Sequence, residues 1–204
     1  MEAPFALMLA TGNPHKAKEL EALLSDWSVE LHTARDLQEP PVVVEDADTL
    51  EGNARKKAVE WFEAVDTAVL ADDTGLEVKA LDGRPGVHSA RFAGPAADDA
   101  ANRAALLTAL QGKADRAAQF RTVLAFNDGT SVRLFEGICR GRLLTEERGT
   151  RGFGYDALFV PAGYERTFAE LPPDEKNRIS HRGRALESFV AFLRTYPPAA
   201  SARP

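Results

Sequence analysis

The run FALMLA, residues 5–10, is apolar at every position and passes within three residues into TGNPHKAKELEALLSDW, where Leu20, Leu23, Leu24 and Trp27 recur at helical steps. A strand apolar on both faces has to be covered on both faces, and a helix that follows it directly has to fold back over it. A chain that begins this way is committed to a layered α/β arrangement, in which ligands collect beyond the carboxyl ends of the strands. Asn13 is placed to cap that helix and Pro14 to be its first residue.

The alternation continues along the chain. VELHTA reads as a strand; the pair Pro40 and Pro41 follows, then a short strand over VVVE. Asp48 with Glu51 three residues on forms a capping box for a second helix, whose Leu50, Ala54, Ala58, Trp61, Phe62 and Val65 mark one face. Residues 68–72 read as a strand, then a turn, then LEVKAL ending in DGRPG. DDAANRAALLTALQG reads as a third helix with Gly112 as its cap. Residues 120–126 and 131–139 form a hairpin around NDG; ALFV is a further strand, and a last helix covers 184–196. The Pro/Ala-rich tail, 197–204, is expected to be disordered. A βαβ start, a helix and a hairpin together predict an α/β protein with a mixed sheet.

At 204 residues the chain suits one large domain, or two lobes sharing one sheet. Its net charge of −6 leaves no basic field to hold a nucleic-acid backbone, so nucleic acid is excluded as a partner. The one cysteine, Cys139, has no partner for an internal disulfide and reads as a small buried hydrophobe, in keeping with a reducing cytoplasm. The first residues lack a basic leader, and no run reaches membrane-spanning length; a cytosolic protein with no membrane partner is expected.

Four stretches can carry chemistry. In ADDTG, Asp72 and Asp73 sit directly after an apolar run, and adjacent like charges at a buried strand end are costly unless something positive lies beside them. A metal ion is the first expectation. Successive strand side chains point to opposite faces, so one of the pair faces a given site and the other serves as a turn or cap acceptor; DDTG also reads as a plain turn signal. Glu45, just past VVV, is a candidate second carboxylate, and two acids beside a phosphate suffice for magnesium. TGNPHK puts His15 and Lys16 into a first helical turn, where a cation is disfavoured by roughly 0.3–1 kcal/mol unless an anion offsets it. It reads either as a capped turn or as a phosphate site whose spacing is not that of a P-loop. RGFGYDALF brackets Phe153 with glycines, which serves a ring stacked on a flat ligand or, equally, a glycine bulge among core aromatics. EKNRISHRGRAL gathers Lys176, Arg178, His181, Arg182 and Arg184 around Ser180, a helix cap; it reads as a solvated face or as a site for an anion or a carbonyl-rich ligand.

Taken together and in this order, LATGNPHKAKEL, ADDTGLEVKALDGRPGVHSARFAG, GFGYDALFVP and EKNRISHRGRAL closely resemble the XTP/dITP pyrophosphatase family, the house-cleaning inosine triphosphate pyrophosphatases. The likeness runs from Leu9 to the last helix. It implies an elongated mixed β-sheet flanked by helices, with residues 1–196 forming a single domain of two lobes and an active-site cleft between them. It further implies a cytoplasmic homodimer that uses Mg2+ to hydrolyse ITP, dITP and XTP to the monophosphate and pyrophosphate. Carried over residue by residue, Thr11, Gly12, Asn13, Pro14, His15 and Lys16 would bind substrate, chiefly its phosphates. Asp73 is the implied proton acceptor and Mg2+ ligand, Glu45 the second metal-side acid, and Thr74 a substrate-binding hydroxyl. Phe153, Gly154, Tyr155 and Asp156 would hold the base, with Phe153 stacked on it. Lys176, Arg182 and a protonated His181 would complete the base pocket, which moves the basic cluster from phosphate to the purine's oxygens.

One position departs from the family pattern: its ENA is GNA here, over residues 52–54, and Glu51 stands one place early. The role of the missing glutamate is thereby left open. Two other readings stand beside the resemblance. A Maf-type nucleotide pyrophosphatase is opposed by the SHR segment, and a nucleotide sensor without turnover is opposed by the intact Asp72-Asp73-Thr74 and Lys16.

Overall fold

The computed structural model describes residues 5–25, 27, 29–95 and 98–196, so the expectation for the tail at 197–204 lies outside the described residues. FALMLA is strand β1 (Phe5–Ala10), and helix α1 (Pro14–Leu24) carries the chain to β2 (Val29–Thr33), parallel to β1. Helix α2 (Leu50–Val65) returns it to β3 (Val69–Val78), parallel to β1 on the other side. The two-residue β4 (Pro85–Gly86) pairs with the far end of β3, and helix α3 (Asp99–Ala109) follows. A long hairpin, β5 (Ala117–Asn127) and β6 (Val132–Leu143), runs antiparallel beside β3; β7 (Phe159–Pro161) then closes the sheet, ahead of helices α4 (Pro173–Ile179) and α5 (His181–Leu193). The order β2-β1-β3-β5-β6-β7 is the mixed sheet of an α/β protein.

The apolar run of β1 is buried on both faces, as its composition requires. Leu7 and Leu9, with Leu70 of β3, pack against Leu20 and Leu24 of α1 and Leu186 and Phe189 of α5. Met8 and Ala10, with Val69 and Ala71, pack against Leu50, Ala54, Ala58 and Trp61 of α2. A third cluster gathers at the other end of the long strands, where Leu76, Val78, Phe120 and Phe159 meet Leu106 and Leu110. The period-2 pleat then decides the aspartates. Asp72 follows Leu70 onto the α1 and α5 face, and Asp73 follows Ala71 onto the α2 face.

Several local expectations are corrected. No turn interrupts DDTG: β3 continues through Thr74 and Gly75, because β5 pairs with it along its whole length from Val69↔Asn127 to Val78↔Ala118. Gly75 is required there, since a Cβ would lie 2.6 Å from the Gly86 carbonyl oxygen on β4. Residues 42–45 form no strand; they run unpaired, with Val42 and Val44 at 92% and 66% exposure. The hairpin arms are longer than read, and the last helix starts at His181, where Ser180 accepts from the amide of Gly183 at 3.0 Å. Helix α2 is capped by Thr49, not Asp48: the Thr49 hydroxyl accepts from Gly52 N at 3.0 Å, and Glu51 pairs with Arg121 of β5 instead of closing a box. Thr49→Ala is therefore expected to lower the unfolding free energy by about 1 kcal/mol, whereas Asp48→Ala stays within about 0.5 kcal/mol of the parent; urea denaturation of the two variants checks the assignment.

Candidate active site

Parallel pairing between β1 and β3 stops at Ala10↔Ala71, and β4 does not meet β3 until Leu76. Between those points, residues 72–75 have one strand edge without a strand neighbour, at the crevice where the order of parallel strands reverses. Side chains serve that edge instead. Lys57 of α2 donates its ammonium to the Asp72 carbonyl at 2.9 Å, Asp73 Oδ1 accepts from Thr74 N at 2.9 Å, and Ser89 Oγ accepts from Leu76 N at 2.8 Å. The gap opens onto a cleft of about 500 Å3.

On the α2 side, Asp73 is held at Oδ2 by Asn53 Nδ2, 3.1 Å away, and Asn53 is itself fixed by accepting from Ala47 N at 2.9 Å. Glu45 reaches the same region from the unpaired segment, where its carboxylate pairs with Lys57 at 2.6 Å and its carbonyl accepts from Arg91 at 3.0 Å. Burial raises the proton affinity of Asp73; Lys16 and Lys57 oppose the rise and Glu45 adds to it. The result is a carboxylate oriented from two directions and more basic than a surface aspartate.

On the α1 and α5 side lies a chain of buried charges. Asp72 meets Lys16 at 3.0 Å and accepts from Arg182 Nε and Nη2 at 3.2 and 3.0 Å. Burial alone would raise its pKa, but Lys16, Arg182 and Lys57 hold it far below the usual carboxylate range. Arg182 also donates to Glu19 and, at 3.2 Å, to the Thr74 hydroxyl, which contacts Thr122 Oγ1 at 2.6 Å. Glu19 in turn accepts from Lys176 at 2.7 Å, and Lys176 reaches Asp156 at 2.7 Å. Asp156 closes the chain by accepting from Phe153 N at 3.0 Å.

Thr11, Gly12, Asn13, Lys16, Glu45, Asp73, Thr74, Phe153, Gly154, Tyr155, Asp156, Lys176, His181 and Arg182 all line the one cleft; Pro14 and His15 do not. Pro14 is the first residue of α1, and His15 stacks on Phe153 with centroids 5.3 Å apart and planes 15° apart. Lys176 Nζ lies 5.2 Å from the centre of the Phe153 ring. Asn13 Oδ1 accepts from the amides of both His15 and Lys16, so the positive charge at this helix start comes from Lys16 and the helix dipole rather than from those amides. Tyr155 donates its hydroxyl to Ser89 O at 2.8 Å and acts as a fixed wall.

His181 departs from its expected state. It is buried, stacked on Phe120 at 4.6 Å, and its Nδ1 has no hydrogen-bond partner among the described residues. Burial first, then Arg182 and Lys176, push its pKa well below the ordinary value, so the ring is neutral and not a charged donor. Arg182 is likewise mostly occupied: its contacts to Asp72, Thr74 and Glu19 use four of the five guanidinium N–H groups. Gly52 explains the missing glutamate in steric terms, since a Cβ there would stand 2.7 Å from the Ala47 Cβ.

Glu19, Asn53 and Lys57 escaped the sequence reading. Asn53 and Lys57 lie on the buried stripe of α2 with Leu50, Ala54, Ala58 and Trp61, and two polar residues at helical spacing on an apolar face were the available signal. Glu19 stands three residues after Lys16 on α1, a spacing that puts both on one side of the helix.

A sequence model described as the Ham1 family matches residues 7–192. The chain is similar to the dITP/XTP pyrophosphatase of Desulfotalea psychrophila, 45% identical over 186 residues that cover 91% of this chain and 83% of that protein. It is also similar to the dITP/XTP pyrophosphatase of Christiangramia forsetii, 43% identical with 92% and 98% covered. Among solved structures, a HAM1 protein from Coxiella burnetii superposes with a TM-score of 0.86 at 36% identity, covering 94% of this chain and all of that one (100%).

The neutral His181 has a measurable consequence. Its folded pKa is depressed below the ordinary 6.5, so on acidification the unfolded chain takes up a proton that the folded chain refuses. Stability from this group is complete above pH 6.5 and falls as the pH drops below it, by at most about 1.4 kcal/mol per pH unit. Denaturation of the parent and of His181→Phe between roughly pH 5 and 7 is expected to show the slope in the parent and its loss in the variant.

Proposed function

The chain belongs to the Ham1 family, and from that premise we propose that it is a house-cleaning nucleotide pyrophosphatase. It hydrolyses the non-standard purine nucleoside triphosphates ITP, dITP and XTP between the α- and β-phosphates, giving the monophosphate and pyrophosphate. The observation that carries this reading is the division of one cleft into two chemistries. A basic carboxylate, a second acid and two lysines lie at the strand gap, and a ring with residual donors lies by the 151–156 loop.

At the gap, Asp73 takes the proton of the attacking water. Asn53 and Thr74 N fix its carboxylate, and its raised proton affinity suits a general base. Lys16 and Lys57 supply positive charge for the phosphate oxygens, and little else is needed, because phosphoryl transfer depends on positioning and charge stabilisation. Asp73 and Glu45 are the residues that would hold Mg2+. They are hard oxygen donors, and Glu45 adds to the proton affinity of Asp73, a repulsion that a cation beside them would relieve while phosphate oxygens and waters fill the remaining positions. Bound Mg2+ would neutralise the phosphate charge as the bond to the leaving pyrophosphate breaks.

At the other end, the base stacks on Phe153. Lys176 spends two of its three N–H groups on Glu19 and Asp156, and Arg182 keeps one of its five, so each retains a donor. A purine with oxygen at C6 accepts from such donors, and adenine, with an amino group there, does not. Leaving buried donors unpaired can cost the wrong substrate about 10⁴-fold in kcat/KM. The same reading carries a homodimer and a cytoplasmic site of action. Among the described residues no helix is long and apolar enough to cross a membrane.

With ITP and Mg2+, orthophosphate is expected only after an inorganic pyrophosphatase is added; direct orthophosphate with accumulating IDP would refute cleavage between the α- and β-phosphates. Comparable kcat/KM for ATP and ITP would refute the base reading.

Asp73→Asn is nearly isosteric and is expected to cut kcat by at least about 10²-fold while unfolding at the parent's temperature. Asp72→Asn is expected to lower the melting temperature instead, because it leaves Arg182 and Lys16 buried without their shared partner. A fully active Asp73 variant would remove it from the mechanism.

A further inference from the structure

Helix α3 belongs to neither charged side of the cleft, yet it is fixed firmly and reaches the loop that carries Phe153. The buried Asn102 ties it to the turn before it, accepting from Ala93 N at 2.9 Å and donating to Ala90 O at 3.0 Å. Asp98 caps its start by accepting from Ala101 N at 2.8 Å. From this anchored helix Asp99 and Arg103, four residues apart and so on one face, take hold of Gly154 on both sides. Asp99 Oδ2 accepts from Gly154 N at 2.6 Å, and Arg103 Nη1 donates to Gly154 O at 2.9 Å. Arg103 is steadied in turn by Glu147, 3.0 Å from its Nε. Gly154 is in the left-handed region, with φ 58°, and a Cβ there would meet nothing within 4 Å. Gly154 is half-buried, and the two hydrogen bonds fix both of its backbone groups.

We propose that Asp99 and Arg103 are positioning residues for the nucleobase: by gripping Gly154 they hold the neighbouring Phe153 ring in stacking position. The assignment rests on the nucleotide reading above. Both contacts are made to backbone, and each involves a charged partner, the stronger class of hydrogen bond. Asp99 lines the cleft with one carboxylate oxygen engaged by Gly154 N, and Arg103 stands outside the lining, so the grip works through the loop's conformation. It governs how well the base is held, and leaves the phosphate end untouched.

In the full chain, Asp99→Ala and Arg103→Ala are each expected to raise KM for ITP about tenfold, the order of one charge-assisted hydrogen bond. Inhibition by IMP should weaken in the same proportion, while kcat and inhibition by pyrophosphate stay at parent values. Asp99→Asn retains an acceptor oxygen and should remain within about twofold of the parent. Hydrogen exchange of peptides covering 151–156 should quicken in both alanine variants and not in Asp99→Asn. Unchanged KM, with or without faster exchange, overturns the proposal. So does a joint fall of kcat, pyrophosphate affinity and melting temperature, which marks a structural role alone. A parent that turns over no purine triphosphate while the exchange difference persists overturns the nucleotide reading, and with it the role given to the base, but not the grip.

Discussion

Asp72 has almost no contact with water, and it stays ionised because Lys16 of α1 and Arg182 of α5 both reach it. Taking such groups out of water costs several kcal/mol per ion, and the attraction between them offsets this only with good geometry and every remaining N–H and lone pair engaged. The chain of contacts that engages most of them runs on from Arg182 through Glu19 and Lys176 to Asp156, with one N–H left on each of Arg182 and Lys176. Two helices from the beginning and end of the chain, a central strand, helix α4 and the 151–156 loop are therefore joined by one electrostatic unit. Hydrophobic contacts alone would leave the docking of α4 and the loop loosely specified. With the charges present, a misplaced element strands a buried ion, so assembling the cleft and completing the fold are the same event.

The second determinant is a length mismatch. β1 ends at Ala10 and β3 runs on for seven residues past its last pairing partner, Ala71. Backbone groups left over at a sheet's interior edge have to find partners, and here Lys57, Asp73 and Ser89 provide them. Lys57 thereby serves the strand and, through Glu45, the acid side of the cleft at once. The cleft grows out of a deficit in the sheet.

How much of this was legible in the sequence depended on which forces act over short distances. The covered strand β1, the Asn13 and Ser180 caps and the opposite facing of Asp72 and Asp73 follow from pleat, capping and burial, all of them local. The supposed turn at Thr74-Gly75 was misread because local turn chemistry was overridden by a ten-residue ladder with β5, a partner about fifty positions away. The VVVE strand failed for the converse reason: its β-branched residues favour extension, but among the described residues no strand stands beside them to pair. Lys176, His181 and Arg182 were found as a group, but their states were not. That His181 is neutral depends first on its burial, against Phe120 among others, and that Arg182 is nearly used up depends on Glu19 and Asp72, none of them near in sequence.

The engagement of Arg182 by the fold has an evolutionary side. A residue with four of its five N–H groups committed to Asp72, Thr74 and Glu19 cannot be exchanged to suit a new ligand without unsettling the elements it joins. Asp99 and Arg103, which hold the 151–156 loop at Gly154, reach only its backbone and stand outside that chain of buried charges. Divergence of ligand preference on this scaffold is thus channelled toward the supports of the loop on α3, where a change of residue shifts the pocket wall without stranding a buried ion.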